Sequence, residues 1–393
     1  MSHDRLHRHP AFASIAFALT GLIVVGQIYL PIPILRDIAH QFGTDPDTAS
    51  WAASSFSFAY AAGFLISGPL SDYFGRRRVM LTGFTLMLLL TALTSLATDM
   101  RQLLVGRTLQ GLVASAFPPL ILAYLGESMP AAWKTRAISF MSLGFLTASL
   151  LAQLYAITLQ RWPFGQIEQS LLPAYLVALT VIFFFVDDQN GTRPQKSLLE
   201  IYRGLPSLLL ERRLKWLYLS TLCTLSALVA FYLLLDARFG SAIAQAGIPP
   251  IATRLVALPA MALSLATPTV IRRVGALALI RRSFAIASLG ILFAAGAALT
   301  GSAWGVLAAS IVFIGGRSFS VPALVGAISA LAEPASRGTA IALYTFVLFV
   351  GASLGPWLAQ VLAFFSYPAS LLLLALIAGL PVLFGTFLRK EAA

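Results

Sequence analysis

The sequence predicts an all-α integral membrane protein of twelve transmembrane helices arranged as two six-helix bundles. Three observations carry this expectation. Hydrophobic residues make up 58% of the chain and charged residues only 11%. A soluble domain carries about 25% charged residues, so too little charge is present to coat a water-facing surface. The apolar residues also come in successive runs close to the roughly 20 residues that a spanning helix needs. Finally, the basic residues collect in alternate loops. With the N-terminus placed in the cytoplasm, only Arg36, Arg101, Arg161 and Arg238 fall outside. Arg107, Arg254 and Arg317 lie within helices, and the remainder of the 27 basic residues lie inside. That asymmetry puts both termini on the cytoplasmic side and calls for an even number of spans.

Residues 1–10 are polar and basic. The run from Ala11 to Leu35 is too long for a signal-peptide core and has no clear cleavage site, so it is retained as span 1. Span 2 is expected over Thr48–Leu70, span 3 over Val79–Ala97 and span 4 over Gln102–Leu125. Span 5 follows over Ala137–Leu159 and span 6 over Leu171–Val186. Residues 187–213 break the pattern with a polar, turn-forming run followed by a segment, Leu198–Leu210, suited to an amphipathic surface helix. This is the expected cytoplasmic linker between an N-terminal bundle, 1–186, and a C-terminal bundle, 214–393. The second bundle holds span 7 (Leu214–Leu235), span 8 (Ile251–Val270), span 9 (Ser283–Leu299), span 10 (Ala303–Leu331), span 11 (Thr339–Phe364) and span 12 (Pro368–Leu388).

The halves echo each other. Gly106-Arg107, Glu127-Ser128-Met129-Pro130 and Arg136 in the first recur as Gly316-Arg317, Glu333-Pro334 and Arg337 in the second. A basic turn after span 2 is matched by Arg272-Arg273-Val274-Gly275 after span 8. The pattern fits two repeats related by an axis along the membrane normal.

Several functions are disfavoured at once. The net charge of +12 suggests nucleic acid only until its confinement to helix ends is seen. A single cysteine, Cys223, permits no internal disulfide and no cysteine metal site. His3, His7 and His9 suit a cationic flank better than a zinc site. No phosphate-binding lysine loop, dinucleotide fingerprint, paired-carboxylate or nucleophile–base arrangement stands out. The expectation is a chain that is not an enzyme, with no cofactor and no metal.

The most specific stretch is Gly68-Pro69-Leu70-Ser71-Asp72-Tyr73-Phe74-Gly75-Arg76-Arg77-Arg78. Three adjacent arginines cannot sit in hydrocarbon, so this is a turn at a membrane surface. Glycine at 68 allows close helix approach and glycine at 75 a tight turn. Asp72 stands one helical turn before Arg76, within ion-pair reach. The order of residues resembles the signature loop between helices 2 and 3 of the major facilitator superfamily, with a departure at Tyr73, where a basic residue is usual. Arg107-Thr108-Leu109-Gln110-Gly111 is similar to the Arg-x-x-Gln-Gly element of that superfamily's exporters. The resemblance extends over essentially the whole chain and is greatest to its bacterial drug:proton antiporter and sugar efflux branch.

The resemblance implies a conformational switch at the signature loop. Gly68, Asp72, Gly75, Arg76 and Arg77 would act with Glu127, Arg136, Glu333 and Arg337, and Asp72 would contact the start of span 11 near Arg337–Thr339. Arginine within a span costs roughly 2.5–3.5 kcal/mol by insertion scales. Arg107 either snorkels to the surface or faces a polar cavity, and the family element around it favours the cavity. Arg317 lies near the centre of span 10 with no acidic residue at mid-depth in another span to meet it. It would bind backbone carbonyls at Gly315-Gly316 or an anionic substrate group. Gln27 and Tyr29 stand on span 1, where many drug–proton exporters carry an acid; Gln27 cannot titrate. Gln27, Tyr60, Gln110 and Tyr344 are further cavity candidates, with interhelical hydrogen bonding as the competing role. Span 5 lacks the Gly-Pro-x-x-Gly-Gly run usual in antiporters, having Gly144-Phe145-Leu146-Thr147-Ala148-Ser149 instead. Span 11 does carry Gly351-Ala352-Ser353-Leu354-Gly355-Pro356.

The function implied is secondary active export of a small organic molecule by proton antiport through alternating access. Its central site would be lined by spans 1, 4, 7 and 10. Proton-independent facilitation or uptake of an organic anion is an alternative, as is a non-transporting membrane sensor or scaffold. The expected partners are a small-molecule substrate, protons and the lipid bilayer, with no nucleic acid. The chain is expected as a multi-pass monomer of the cytoplasmic (inner) membrane.

Overall fold

The computed structural model of the chain describes residues 6, 8–187, 197–249 and 252–392, with the backbone alone at 254, 335 and 385–392. His3, His7, most of the polar part of the expected linker and the side chains of Arg254, Arg389 and Lys390 lie outside the described residues. The described chain is helical throughout, with eleven helices long and apolar enough to cross a membrane. Their bounds are Pro10–Gln41, Pro46–Phe74, Arg76–Thr94, Met100–Ser128, Ala131–Thr158, Phe164–Phe185, Leu214–Gln245, Ala276–Leu299, Ala303–Leu331, Arg337–Leu362 and Tyr367–Phe384. They supply spans 1–7 and 9–12 of the expected set.

Local chemistry sets their ends. Asp45 caps span 2, accepting from the Thr48 backbone N–H at 2.8 Å and its hydroxyl at 2.6 Å, with Pro46 at the first helical position. The Thr48 hydroxyl, with its backbone N–H, holds the Asp45 carboxyl below the usual carboxylate range. Asp99 caps span 4 through the Gln102 N–H (2.9 Å), and Ser302 caps span 10 through the Gly305 N–H (3.1 Å). Gly75 takes φ 92° between spans 2 and 3, and Gly275 takes φ 81° at the matching turn before span 9. A side chain is strained in that region, so the same backbone device serves both repeats.

Span 8 differs from expectation. The continuous helix expected over Ile251–Val270 is instead a series of short pieces: Ala252–Leu255, Leu258–Met261, a 3-10 turn Ala262–Ala266, and Thr267–Val274. Pro259 and Pro268 each occupy the first turn of a new piece. Proline lacks the N–H that would continue the previous helix, and it drives the preceding residue away from helical geometry. The amphipathic segment is likewise split, into Leu198–Arg203 and Leu205–Leu209. A reciprocal Ser197–Glu200 capping box starts the first piece.

Span 6 begins two turns earlier than expected, at Phe164. Leu171–Val186 alone is shorter than the roughly 20 residues a span needs. The helix Phe164–Ser170 ahead of it supplies the remainder.

The chain divides into two compact units, Met1–Leu205 with Glu333–Phe346, and Pro206–Ala332 with Val347–Ala393. The opening turns of span 11 thus group with the first unit. Inside the first, span 1 packs on span 5, span 2 on span 4, and span 3 on spans 4 and 6. Inside the second, span 9 packs on spans 10 and 12, and span 7 on spans 10 and 12. The pairing of spans 3 and 6 in one unit matches that of spans 9 and 12 in the other, as a sequence repeat requires.

Candidate functional site

Five spans of the first unit supply contacts to one buried polar cluster centred on Arg107, which is fully buried. Its Nε donates to the Ala52 carbonyl at 2.9 Å and its Nη2 to the Gln27 carbonyl at 2.6 Å. Its Nη1 donates to Gln27 Oε1 at 2.7 Å, to Gln110 Oε1 at 3.3 Å and to Glu168 Oε1 at 3.4 Å. The guanidinium also lies over the Phe56 ring, 4.4 Å from its centroid. Arg107 therefore does not snorkel: its charge is solvated by protein oxygens inside the bundle.

The acceptors are themselves held. Gln27 Nε2 donates to the Tyr175 hydroxyl at 2.7 Å. Gln110 Nε2 donates to Thr91 Oγ1 at 3.1 Å and to Glu168 Oε2 at 2.8 Å. Glu168 is as buried as its partner. The cluster links spans 1, 2, 3, 4 and 6 through side-chain and backbone hydrogen bonds.

An apolar layer lies one turn further along these spans. Leu30, Ile34, Ala49, Ala52, Leu103, Phe164 and Ile167 form one packed cluster. In every span these residues stand on the same side of the polar cluster, toward the loops at 42–45, 95–99 and 159–163. They exclude water from that end and keep the Arg107–Glu168 interaction at low dielectric.

At the other end, the signature loop is tied to span 11. Asp72 Oδ2 accepts from the Thr339 backbone N–H at 2.8 Å and from its hydroxyl at 2.6 Å. Arg76 contacts Glu127 with Nη2 at 2.7 Å from Oε1 and Nη1 at 2.5 Å from Oε2. Arg337 reaches the same Glu127 at 3.4 Å, and Arg76 lies 3.9 Å from Asp72. A Cβ at Gly68 would run into the Ala342 side chain, so glycine is what lets spans 2 and 11 approach here.

The other expected site residues are placed as follows. Arg77 donates to the Phe183 carbonyl (3.2 Å) and lies over that residue's ring. Arg136 lies over Trp133, 5.3 Å from its centroid, and makes no ion pair among the described residues. Glu333 is exposed and pairs with no arginine among the described residues. Glu127, by contrast, bridges two arginines. Tyr60 is buried between Phe56 and Phe64, at centroid distances of 5.7 and 4.5 Å. Tyr29 is half-buried and outside the hydrogen-bonded cluster. Tyr344 is buried, and its hydroxyl has no hydrogen-bond partner among the described residues.

In the second unit, Arg317 is 2% exposed. Its Nη2 donates to the Cys223 carbonyl at 3.0 Å, rather than to Gly315 or Gly316. Its guanidinium lies 4.8 Å from the Phe284 centroid and 5.6 Å from that of Phe313.

Glu168, the fifth residue of span 6, is a buried acid that the expected start of that span at Leu171 leaves outside it. It was hidden by placing the start of span 6 at Leu171. The signal available was length, since an undersized span asks to be extended, and extension toward Pro163 brings Glu168 inside. Tyr175 stands two turns further along the same helix.

The comparisons with known proteins agree with this architecture. The family model described as Major Facilitator Superfamily matches residues 17–315. Inner membrane transport protein YnfM of Escherichia coli (strain K12) is 34% identical over 122 residues, which is 30% of this chain and 29% of that protein. Uncharacterized MFS-type transporter YybF of Bacillus subtilis (strain 168) is 24% identical over 177 residues, 44% of each chain. The alignments thus span less than half of the length of these relatives. Among solved structures, the human organic anion transporter MFSD10 (TETRAN) superposes with a TM-score of 0.73 at 18% identity, covering 96% of this chain and 99% of that one. The proton:xylose symporter XylE superposes with a TM-score of 0.71 at 13% identity, covering 95% and 94%. At such identities the two structures speak to the fold alone. A family match over most of the chain, on a helical membrane fold with the signature loop, makes this chain a member of the Major Facilitator Superfamily, a family of membrane transporters.

Proposed function

We propose that the chain is a secondary transporter that exports a small organic molecule in exchange for protons by alternating access, with Glu168 as the proton-carrying group. The observation that carries this reading is the buried carboxylate of Glu168 beside Arg107. It supplies a titratable group to a cluster to which span 1 contributes only Gln27. Ionised, Glu168 is paired with Arg107. Protonated, it leaves Arg107 with three neutral oxygens at 2.6–2.9 Å. Both charge states therefore keep the guanidinium solvated within the membrane.

In this reading the Asp72–Thr339 and Arg76–Glu127–Arg337 contacts form a latch that holds one end of the cycle and opens in the other. The functional halves are residues 1–186 and 214–393, joined by the cytoplasmic linker 187–213. The protein works as a monomer in the inner membrane with both termini cytoplasmic. The charge asymmetry of the loops supports that orientation, and the printed name of the Escherichia coli relative supports that membrane. That a proton:xylose symporter shares the fold supports proton coupling as a mode this fold can run.

The test uses purified protein in liposomes with a trapped pH dye and an imposed proton gradient. Cationic drugs, sugars and organic anions are added singly. Proton movement dependent on one class supports the reading. Flux of a labelled compound without proton movement contradicts it. Arg317, a cation within the second unit, favours a second reading: proton-independent transport of an organic anion.

A further inference from the structure

Arg107 and Arg317 each follow a glycine in the fourth span of their half, Arg107 about two turns nearer the start of its span than Arg317. Their surroundings match in part. Each sends Nη2 to a backbone carbonyl in the first span of its own unit, Gln27 at 2.6 Å and Cys223 at 3.0 Å. Each lies over a phenylalanine of its second or third span, Phe56 at 4.4 Å and Phe284 at 4.8 Å.

The likeness ends at the remaining donors. Arg107 Nε and Nη1 meet a carbonyl, two amide oxygens and a carboxylate. Arg317 Nε and Nη1 are buried and have no hydrogen-bond partner among the described residues. Nor can the second unit supply a counter-ion. Its only acids are Glu211, Asp236 and Glu391. Glu211 and Asp236 lie twelve or more residues from Cys223 along the chain, about 18 Å or more at 1.5 Å per helical residue. Glu391 stands at the far end of span 12. A guanidinium held in a bilayer-spanning bundle with two idle donors and no carboxylate in its own unit is a strongly unfavourable arrangement unless an anion arrives from outside that unit.

We infer that Arg317 binds the anionic group, a carboxylate, sulfonate or phosphate, of the transported solute, while the rings of Phe284 and Phe313 hold the guanidinium in place. The assignment rests on the transport reading above, and it names the substrate class as organic anions. Nε and Nη1 lie on different edges of the guanidinium, each shared with Nη2, and either can give a hydrogen to an oxygen of an arriving anion. Arg317 is buried, so a solute reaches it only when the surrounding helices part.

The test measures binding directly, on purified wild-type protein, Arg317→Gln and Arg317→Lys. The probes are benzoate, benzenesulfonate and phenyl phosphate, with benzamide and benzyl alcohol as uncharged counterparts and sodium chloride as the simple-anion control. At saturation at least one organic anion is expected to raise the wild-type Tm by several degrees, while the uncharged compounds do not. Arg317→Gln loses the shift and Arg317→Lys retains a weakened one. A second readout needs no variant. Cys223, the chain's one cysteine, provides the carbonyl bound by Arg317, so the effective anion should slow its alkylation by N-ethylmaleimide in wild-type protein. An equal response to anions and uncharged compounds, or a shift that survives in Arg317→Gln, overturns the assignment. So does stabilisation by chloride that no organic anion displaces, which would make the bound anion a resident ion. Anion binding at Arg317 without proton movement in the liposome assay upholds this assignment and removes the proton reading. Proton movement driven only by uncharged or cationic compounds does the reverse.

Discussion

Glu168 Oε1 lies 3.4 Å from Arg107 Nη1, the longest of the five hydrogen bonds that the guanidinium makes. The shorter contacts are to Ala52, Gln27 and Gln110, all neutral. Arg107 is thus fixed chiefly by dipoles, and Glu168 completes its shell without being indispensable to it. Under the proposed proton coupling, this ordering of distances would let Glu168 change its charge while Arg107 keeps its own.

The pair should be coupled in stability. Arg107→Ala leaves a buried carboxylate facing only the neutral amides of Gln110 and Gln27, and breaking a buried pair from one side costs about 3 kcal/mol or more. Glu168→Gln costs far less, because Arg107 retains its neutral acceptors. The double variant Arg107→Ala/Glu168→Gln should therefore be more stable than Arg107→Ala by about 1–3 kcal/mol. Thermal unfolding of the four proteins in one detergent checks this, and strict additivity would contradict it.

Asp72→Asn should slow the cycle while sparing recognition. The carboxylate accepts two hydrogen bonds on one oxygen from Thr339, and bonds to a charged group contribute about 1.5–3 kcal/mol. A loss near the lower limit corresponds to about a tenfold change in turnover. Transport rates and equilibrium binding measured on the same preparation should show turnover falling about tenfold and Kd changing less than twofold. A parallel loss of affinity would place Asp72 in the binding site instead.

The approach at Gly68 makes a rescue prediction. A methyl group there meets Ala342, and overpacking of this kind costs typically 1–3 kcal/mol. Gly68→Ala should impair transport, and Gly68→Ala/Ala342→Gly should restore most of it. Failure of the second change to restore activity would mean that the glycine serves the turn rather than the contact.

The spans and the signature loop were legible because hydrocarbon excludes charge: Arg76, Arg77 and Arg78 can lie only at a surface, and long uncharged runs can lie only between surfaces. Composition says less about how a span is built. Pro259 and Pro268 divide span 8 although Ile251–Val270 is a mostly apolar run of spanning length. Glu168 was obscured because Pro163, Gly165, Gln166 and Gln169 make the start of span 6 look like a loop, when in fact the helix begins among them. The partnering of Glu127 and the exposure of Glu333 were not legible at all, since both acids precede the same proline-and-basic pattern and differ only in what the fold brings near them. The same holds for Arg107 and Arg317, which share a sequence context and differ in the acceptors supplied by distant spans.

The most direct test of the account is proton coupling in Glu168→Gln. Wild-type and variant protein would be reconstituted in parallel, and the compound identified by the dye assay supplied in labelled form. The account predicts that an imposed pH gradient drives accumulation by the wild type but not by Glu168→Gln, with the variant folded and still binding the compound. Gradient-driven accumulation by Glu168→Gln at the wild-type level would contradict it and place the proton elsewhere in the chain.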